Sequence, residues 1–166
     1  MVARLTDLGW GGPLRELFAT DADGRPVDAE VPAELGRACL RVLKAWDWAE
    51  RPAAVVWVPS LGRPRLVESL ATGIATAGRL PLLGPLALNP GAAAGRGASN
   101  SAYRVRDLWE RFAVPDELGA RLRELRGPVL LVDDLADSRW TMTVAARLLR
   151  RAGAGAVLPF ALALAG

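Results

Sequence analysis

Short apolar segments alternate along this chain with longer segments whose apolar residues recur every three or four positions. Residues 53–58 (AAVVWV) and 128–132 (PVLLV) carry no charge, as expected for strands that are buried on both faces. Residues 64–77 between them place Leu66, Leu70 and Ile74 at helical spacing. Strands of about 5–6 residues that alternate with helices of about 11–14 predict βαβ units and a parallel sheet.

The same patterns predict a complete set of elements and two regions. Helices are expected at 35–48, 64–77, 101–111, 116–126 and 141–152, strands at 53–58, 79–83, 128–132 and 156–164, and a loop at 84–100. We therefore expect an α/β domain over residues 35–166, with three layers around a central, mostly parallel sheet. Residues 1–34 contain short helical patterns and a turn at 21–24, and we expect a helical N-terminal extension or arm there.

Composition narrows the function classes. The chain has 166 residues, 51% of them hydrophobic, and a net charge of +3. Nearly all of its positively charged residues are arginines. Arginine suits phosphate and carboxylate partners, so a nucleotide, nucleic acid or sugar phosphate is compatible. The absence of histidine excludes a Ser-His-Asp triad and a histidine zinc site within these residues. Cys39 is expected to be a buried structural thiol.

Hydropathy gives an expectation about location. No stretch approaches about 18 uninterrupted apolar residues, and residues 1–7 lack the apolar run of a signal peptide. We expect a cytoplasmic protein with no membrane partner.

The segment 129–141 (VLLVDDLADSRWT) carries the strongest signal for a ligand site. An apolar strand is followed by Asp133 and Asp134, then by a short loop and a helix. In an open α/β sheet, ligands bind at the carboxyl ends of strands, where loop amides and a helix N-terminus attract anions. Ser138 and Thr141 add hydroxyl donors, and the two aspartates suit ribose hydroxyls or a hydrated Mg²⁺. The alternative is that the aspartates only cap the following turn.

This segment resembles the signature of the type I phosphoribosyltransferases, which is an apolar strand, two acidic residues, a spacer and Thr-Gly-x-Thr. The resemblance implies that Asp133 and Asp134 bind the ribose of phosphoribosyl pyrophosphate. It also implies that Asp137 is the general base and that Ser138 and Thr141 hold the 5′-phosphate.

A second stretch extends this resemblance to about residues 50–166. Ser60, Leu61, Gly62 and Arg63 follow the first core strand and are similar to the family's pyrophosphate loop. The family resemblance implies Mg²⁺ together with phosphoribosyl pyrophosphate if the site is active. We expect no other cofactor and no metal bound directly by protein side chains.

The sequence departs from the family at Arg139, where the resembled enzymes have glycine. That glycine lets backbone amides wrap around a phosphate, and a left-handed backbone costs other residues roughly 1–2 kcal/mol. Two outcomes are open: Arg139 fills the phosphate cradle and inactivates the site, or it points outward toward a larger phosphate-bearing partner. Impaired or absent transferase activity is favoured, because the chemistry depends on the geometry of this loop.

A narrower resemblance is to the C-terminal region of RecQ-type DNA helicases from high-GC Gram-positive bacteria. It is carried by short stretches at 5–10 (LTDLGW), 46–52 (WDWAERP), 78–84 (GRLPLLG), 100–104 (NSAYR) and 137–141 (DSRWT). The resemblance implies an accessory domain beside a helicase core of the same polypeptide, in DNA repair or recombination. The residues given contain no GxxxxGK[ST] loop, so this region is not the motor.

Surface arginines and tryptophans invite a nucleic-acid hypothesis. The candidate patch consists of Arg104, Arg106, Arg147, Arg150 and Arg151, together with Arg139. A solvated surface is the alternative for these arginines. Most tryptophans are expected to be core or helix-packing residues, whereas Trp140, which lies in the phosphate-facing loop at 133–141, is expected to be exposed.

Three functions remain open at this point. The first is a non-catalytic accessory domain that contacts DNA, a nucleotide or a protein. The second is a working phosphoribosyltransferase that uses phosphoribosyl pyrophosphate and Mg²⁺. The third is a packing or oligomerisation module.

Overall fold

A computed structural model describes residues 9–89, 111–136 and 140–164. Within these ranges the elements in chain order are α1 (Gly11–Leu17), α2 (Ala33–Ala45), β1 (Ala54–Trp57), α3 (Pro64–Gly78), β2 (Leu82–Pro85), β3 (Ala87–Leu88), β4 (Phe112–Ala113), α4 (Asp116–Glu124), β5 (Val129–Ala136), α5 (Trp140–Ala152) and β6 (Val157–Leu164). The expected α/β architecture, with a mostly parallel central sheet and a helix in the N-terminal extension, is confirmed.

The central sheet has the strand order β2-β1-β5-β6, and every neighbouring pair in it is parallel. Strands β3 and β4 form a separate antiparallel pair. The chain moves from β1 to β2 on one side, and β5 then joins β1 on the other. The carboxyl ends of β1 and β5 therefore flank a topological switch point, where α/β sheets form their ligand crevices.

Helices cover both faces of the sheet and produce two hydrophobic cores. On β5, Leu130 and Val132 pack with residues of α1, α2 and α3, whereas Val129 and Leu131 pack with residues of α4 and α5. This alternation follows the two-residue period of a strand. Cys39 is buried in the first core and burial raises the pKa of its thiol to about 11, in agreement with the expected structural role.

The described part of the N-terminal extension packs against the domain. Leu14 and Leu17 of α1 are buried in the same core as Leu35 of α2. The predicted turn is present, since Oδ1 of Asp21 accepts hydrogen bonds from the backbone amides of Asp23 and Arg25, each at 2.9 Å.

Strand β5 differs most from its prediction. The expected strand ended at residue 132, but β5 continues through Asp133 and Asp134 to Ala136. Its ladder with β6 extends to the pair Ala136↔Leu164, so β6 supplies partners that the sequence of β5 does not reveal. The predicted loop at 133–141 is correspondingly shorter, because α5 begins at Trp140.

Three further predictions were wrong in part. The helix expected at 35–48 already ends at Ala45, because Trp46 is extended (ψ 131°). The strand expected at 79–83 begins only at Leu82, since Arg79 adopts a left-handed conformation (φ 52°, ψ 40°) that ends α3. The expected loop at 84–100 contains the end of β2 and all of β3. The helix predicted at 101–111 lies outside the described residues except for Arg111, which is in a turn.

In the described part of the chain, no helix combines the length and apolar character needed to cross a bilayer.

Candidate functional site

The candidate site lies where β1 and β5 end, at the switch point of the sheet. Trp57 at the end of β1 pairs with Val132, so Asp133 and Asp134 extend past β1. The chain leaves β1 through Pro59 and Ser60, and the Ser60 hydroxyl donates a 3.1 Å hydrogen bond to Oδ2 of Asp134. Two motifs that the sequence suggested separately therefore meet at one edge of the sheet.

Among the residues that the structure describes, Asp133 and Asp134 are the only aspartate, glutamate, lysine or arginine residues that are buried. Only 4% of the surface of Asp133 and 7% of that of Asp134 is exposed. Oδ1 of Asp133 accepts the Asp134 amide at 2.9 Å, and Oδ1 of Asp134 accepts the Leu135 amide at 2.8 Å. Three of the four carboxyl oxygens thus have partners inside the protein. The alternation of β5 assigns Asp133 to the α4–α5 face and Asp134 to the α3 face.

Asp133 is held in an environment that disfavours its charge. Burial, the neighbouring charge of Asp134 and a side-chain hydrogen bond to Asp134 together raise the pKa of Asp133 to about 8. The amide of Asp134 and the positive charge of Arg111 act in the opposite direction but do not offset these effects. At neutral pH the protonated, uncharged form of Asp133 therefore dominates.

Arg111 is a residue of this region that the sequence did not single out. Its guanidinium lies 5.6 Å from the ring centroid of Phe112, and its charge acts on Asp133. Its Nε is buried and has no hydrogen-bond partner. In the sequence, Arg111 ends a predicted helix and looks like an ordinary solvated arginine, so no local signal marks it.

The turn after β1 is held by the N-terminal extension. The amide of Arg63 donates to Oγ of Ser60 at 3.1 Å, and Nη2 of Arg63 donates to the carbonyl of Phe18 at 2.8 Å. The Arg63 guanidinium also lies 4.9 Å from the centroid of the Phe18 ring. A Cβ atom on Gly62 would come within 3.0 Å of Pro26. The side chain of Arg63 thus binds the extension, and a role for the Ser60–Arg63 turn in pyrophosphate binding stays a prediction.

The extension also occupies the amino end of α3. Asp28 accepts hydrogen bonds from the amides of Arg65 and Leu66, each at 3.2 Å, and so caps the helix. This end of α3 directly follows the predicted pyrophosphate turn, and a helix N-terminus is a natural seat for an anion. Here the carboxylate of Asp28 already occupies this position at the helix N-terminus. Arg63, directly before Pro64, is not one of the residue types that cap a helix locally.

The remaining predicted site residues do not all come together. Asp137, Ser138, Arg139, Arg104 and Arg106 lie outside the described residues. Trp140 begins α5 and is 46% exposed, as expected, while Thr141 is half-buried.

The arginines of α5 lie away from the acid pair. In a parallel α/β unit the helix returns toward the amino ends of the strands, and Arg151 is about 16 Å along the axis from Trp140 at 1.5 Å per residue. Nη1 of Arg150 donates to the carbonyl of Ala154 at 3.1 Å, beyond the carboxyl end of α5. Arg147, Arg150 and Arg151 thus lie on the half of α5 that is distant from the acid pair.

Comparisons with known proteins give distant likenesses. No family model matches the chain, and no curated protein matches it. Among solved structures, it is similar to glutamine phosphoribosylpyrophosphate amidotransferase from B. subtilis complexed with ADP and GMP, with 22% identity, a TM-score of 0.46, and coverage of 76% of this chain and 26% of that one. It is also similar to the allosteric regulatory enzyme of purine biosynthesis, with 22% identity, a TM-score of 0.48, and coverage of 76% and 25%. The chain spans about a quarter of the length of each of these proteins.

Proposed function

We propose that this chain is a phosphoribosyltransferase-like accessory domain that binds a phosphate-bearing partner and does not catalyse phosphoribosyl transfer. The observation that carries the proposal is the burial of Asp133 and Asp134, whose exposed fractions are 4% and 7%. Acids that hold the ribose of a substrate must reach its hydroxyl groups. Here most of the carboxyl oxygens are bonded to Ser60 and to backbone amides instead.

The acid pair does not fit a magnesium-bound substrate. A hydrated Mg²⁺ is held by ionised oxygens that remain accessible to its water shell. The raised pKa of Asp133 keeps a proton on that carboxyl at neutral pH. No step of a transfer reaction is therefore assigned to Mg²⁺ at this pair.

The sequence supports the same proposal independently. Arg139 stands where the resembled enzymes have a glycine that brings backbone amides close to the 5′-phosphate. Loss of that glycine alters the geometry on which positioning of the reacting groups depends.

We propose a nucleic acid or a nucleotide as the phosphate-bearing partner. Support comes from the exposed arginines on the second half of α5, Arg147, Arg150 and Arg151. The short stretches that resemble RecQ-type helicases provide the context, in which the domain would contact DNA handled by a helicase core.

Titration of the full chain with fluorescently labelled single-stranded DNA at two salt concentrations tests this partner. Binding should weaken with salt, with a slope of about −0.7 in log K against log salt for each phosphate contact. The variant Arg151→Gln should lower both the affinity and this slope, whereas Arg37→Gln, on α2, should change neither. Binding of a mononucleotide with none to DNA would identify the smaller ligand. Absence of binding to either at low salt would end the proposal of a phosphate-bearing partner.

A further inference from the structure

A cavity of about 690 Å³ lies at the opposite edge of the sheet from the acid pair. It is bounded by the carboxyl end of α2, by Gly78 at the end of α3 and Leu80 after it, and by Pro52 and Leu130 near the amino ends of β1 and β5. Leu130 and Asp133 are three residues apart on β5, which corresponds to about 10 Å. The cavity is therefore separate from the candidate site described above.

Two stacked indoles form part of the cavity wall. Helix α2 ends at Ala45, Trp46 is extended (ψ 131°), and the ring centroids of Trp46 and Trp48 lie 5.0 Å apart at an interplanar angle of 15°. Nε1 of Trp48 donates to the Leu43 carbonyl at 2.9 Å, which satisfies the end of α2 and fixes the inner ring. Trp46 retains 37% of its surface exposed, so an aromatic face remains accessible.

The polar residues of the lining are mainly cationic. Lys44 and Arg51 contribute two positive charges and Asp47 one negative charge, a net of +1. Neither Lys44 nor Arg51 forms an ion pair within the part of the chain that the structure describes. The rest of the wall is largely aliphatic, from Leu40, Leu43, Ile74, Ala77, Leu80 and Leu130.

We propose that this cavity binds a nucleoside monophosphate, with the base stacked on Trp46 and the phosphate between Lys44 and Arg51. The volume is within the range of small-molecule sites, about 300–1,000 Å³. An apolar wall with an aromatic face suits a planar base, and the two cations suit its phosphate. This site is additional to the proposed partner contact on α5.

Calorimetric titration of the full chain with adenosine 5′-monophosphate tests the site. Adenosine and ribose 5-phosphate should each bind at least fivefold more weakly, since one lacks the charge and the other the ring. Trp46→Ala should weaken binding of adenosine 5′-monophosphate at least fivefold. Leu164→Ala is the control, because Leu164 is an exposed hydrophobic residue at the end of β6 and does not line the cavity, and it should leave the affinity unchanged.

Chemical modification of Lys44, the only lysine of the chain, reports whether the cavity is occupied. Lys44 is exposed and lines the cavity. Acetylation of Lys44, measured by peptide mass spectrometry, should slow severalfold when adenosine 5′-monophosphate is present. Acetylation of the N-terminal amine, measured in the same sample, should not change.

If Trp46→Ala alters the thermal unfolding curve, its loss of binding could reflect misfolding. Arg51→Gln, which removes a charge proposed to bind the phosphate, then decides the test. Adenosine 5′-monophosphate that fails to bind, or that binds equally to Arg51→Gln and the parent chain without protecting Lys44, would overturn the proposal. Binding that is lost in Arg151→Gln but kept in Trp46→Ala and Arg51→Gln would assign the nucleotide to α5. That outcome overturns the cavity site and leaves the proposed function standing.

Discussion

The hydroxyl of Ser60 donates a 3.1 Å hydrogen bond to Oδ2 of Asp134, across 74 positions of sequence. This bond joins the turn after β1 to the end of β5 at the switch point of the sheet. It also engages a carboxyl oxygen that a ribose-binding acid would offer to a ligand. The carboxyl edge of the sheet is thus stabilised by hydrogen bonds within the protein.

Removal of the Ser60 hydroxyl tests how much this hydrogen bond contributes to the free energy of unfolding. Ser60→Ala leaves Oδ2 of the buried Asp134 without its donor, and the free energy of unfolding should fall by about 1–3 kcal/mol. Urea denaturation measures the change. Ser60→Thr keeps the hydroxyl and should retain most of the stability, so an equal loss in both variants would contradict a role for the hydrogen bond.

The raised pKa of Asp133 predicts a pH dependence of stability. Its carboxyl takes up a proton at a higher pH in the folded state, about 8, than in the unfolded state, where the ordinary value is 3.8. The folded state binds the extra proton between these values, so stability falls as pH rises from about 4 to 8. The slope contributed by one proton is at most about 1.4 kcal/mol per pH unit.

Urea denaturation between pH 5 and pH 9 measures this dependence. Asp133→Asn cannot ionise and should flatten the part of the slope that Asp133 contributes. A variant with the same pH profile as the parent chain would show that Asp133 titrates at its ordinary value.

Asp28 should stabilise α3 although it lies in the N-terminal extension. Asp28→Ala removes the acceptor for the amides of Arg65 and Leu66, at a cost of about 0.5–2 kcal/mol in the free energy of unfolding. Glu30→Ala removes only an exposed pair with Arg65 at 3.7 Å and should cost less than about 1 kcal/mol. Thermal denaturation of the two variants separates capping from surface charge, and a larger loss in Glu30→Ala would reverse that assignment.

Arg79 carries backbone strain that a substitution should relieve. Its φ of 52° lies in the left-handed region. Among the residues that the structure describes, Arg79 is the only one other than glycine with a positive φ. Arg79→Gly should raise the free energy of unfolding by about 1 kcal/mol, measured by urea denaturation. Arg79→Ala keeps a Cβ atom and should give no gain. A similar gain in both variants would assign the effect to the guanidinium.

Local patterns predicted the elements that local residues determine. The apolar cores of β1 and β5 and the periods of α3 and α5 depend on residues close in sequence, and each was found near its predicted place. The extension of β5 through Asp133 and Asp134 depends on pairing with β6, so the sequence of β5 alone suggested a loop.

The meeting of Ser60 and Asp134 follows from the parallel sheet, but the burial and protonation of the acid pair do not. Each of the two residues follows an apolar strand in the sequence, and parallel strands bring their carboxyl ends to the same edge. The burial of the acid pair, the contact of Arg63 with Phe18 and the cap from Asp28 all depend on how distant segments pack. No pattern within one element carries that information.

Calorimetric titration of the full chain with phosphoribosyl pyrophosphate, with and without Mg²⁺, tests whether the acid pair can still hold a substrate. No magnesium-dependent binding is expected, because the acid pair is buried, bonded internally and protonated at Asp133. Tight binding that requires Mg²⁺ and is lost in Asp134→Asn would contradict this expectation and identify a working phosphoribosyl pyrophosphate site.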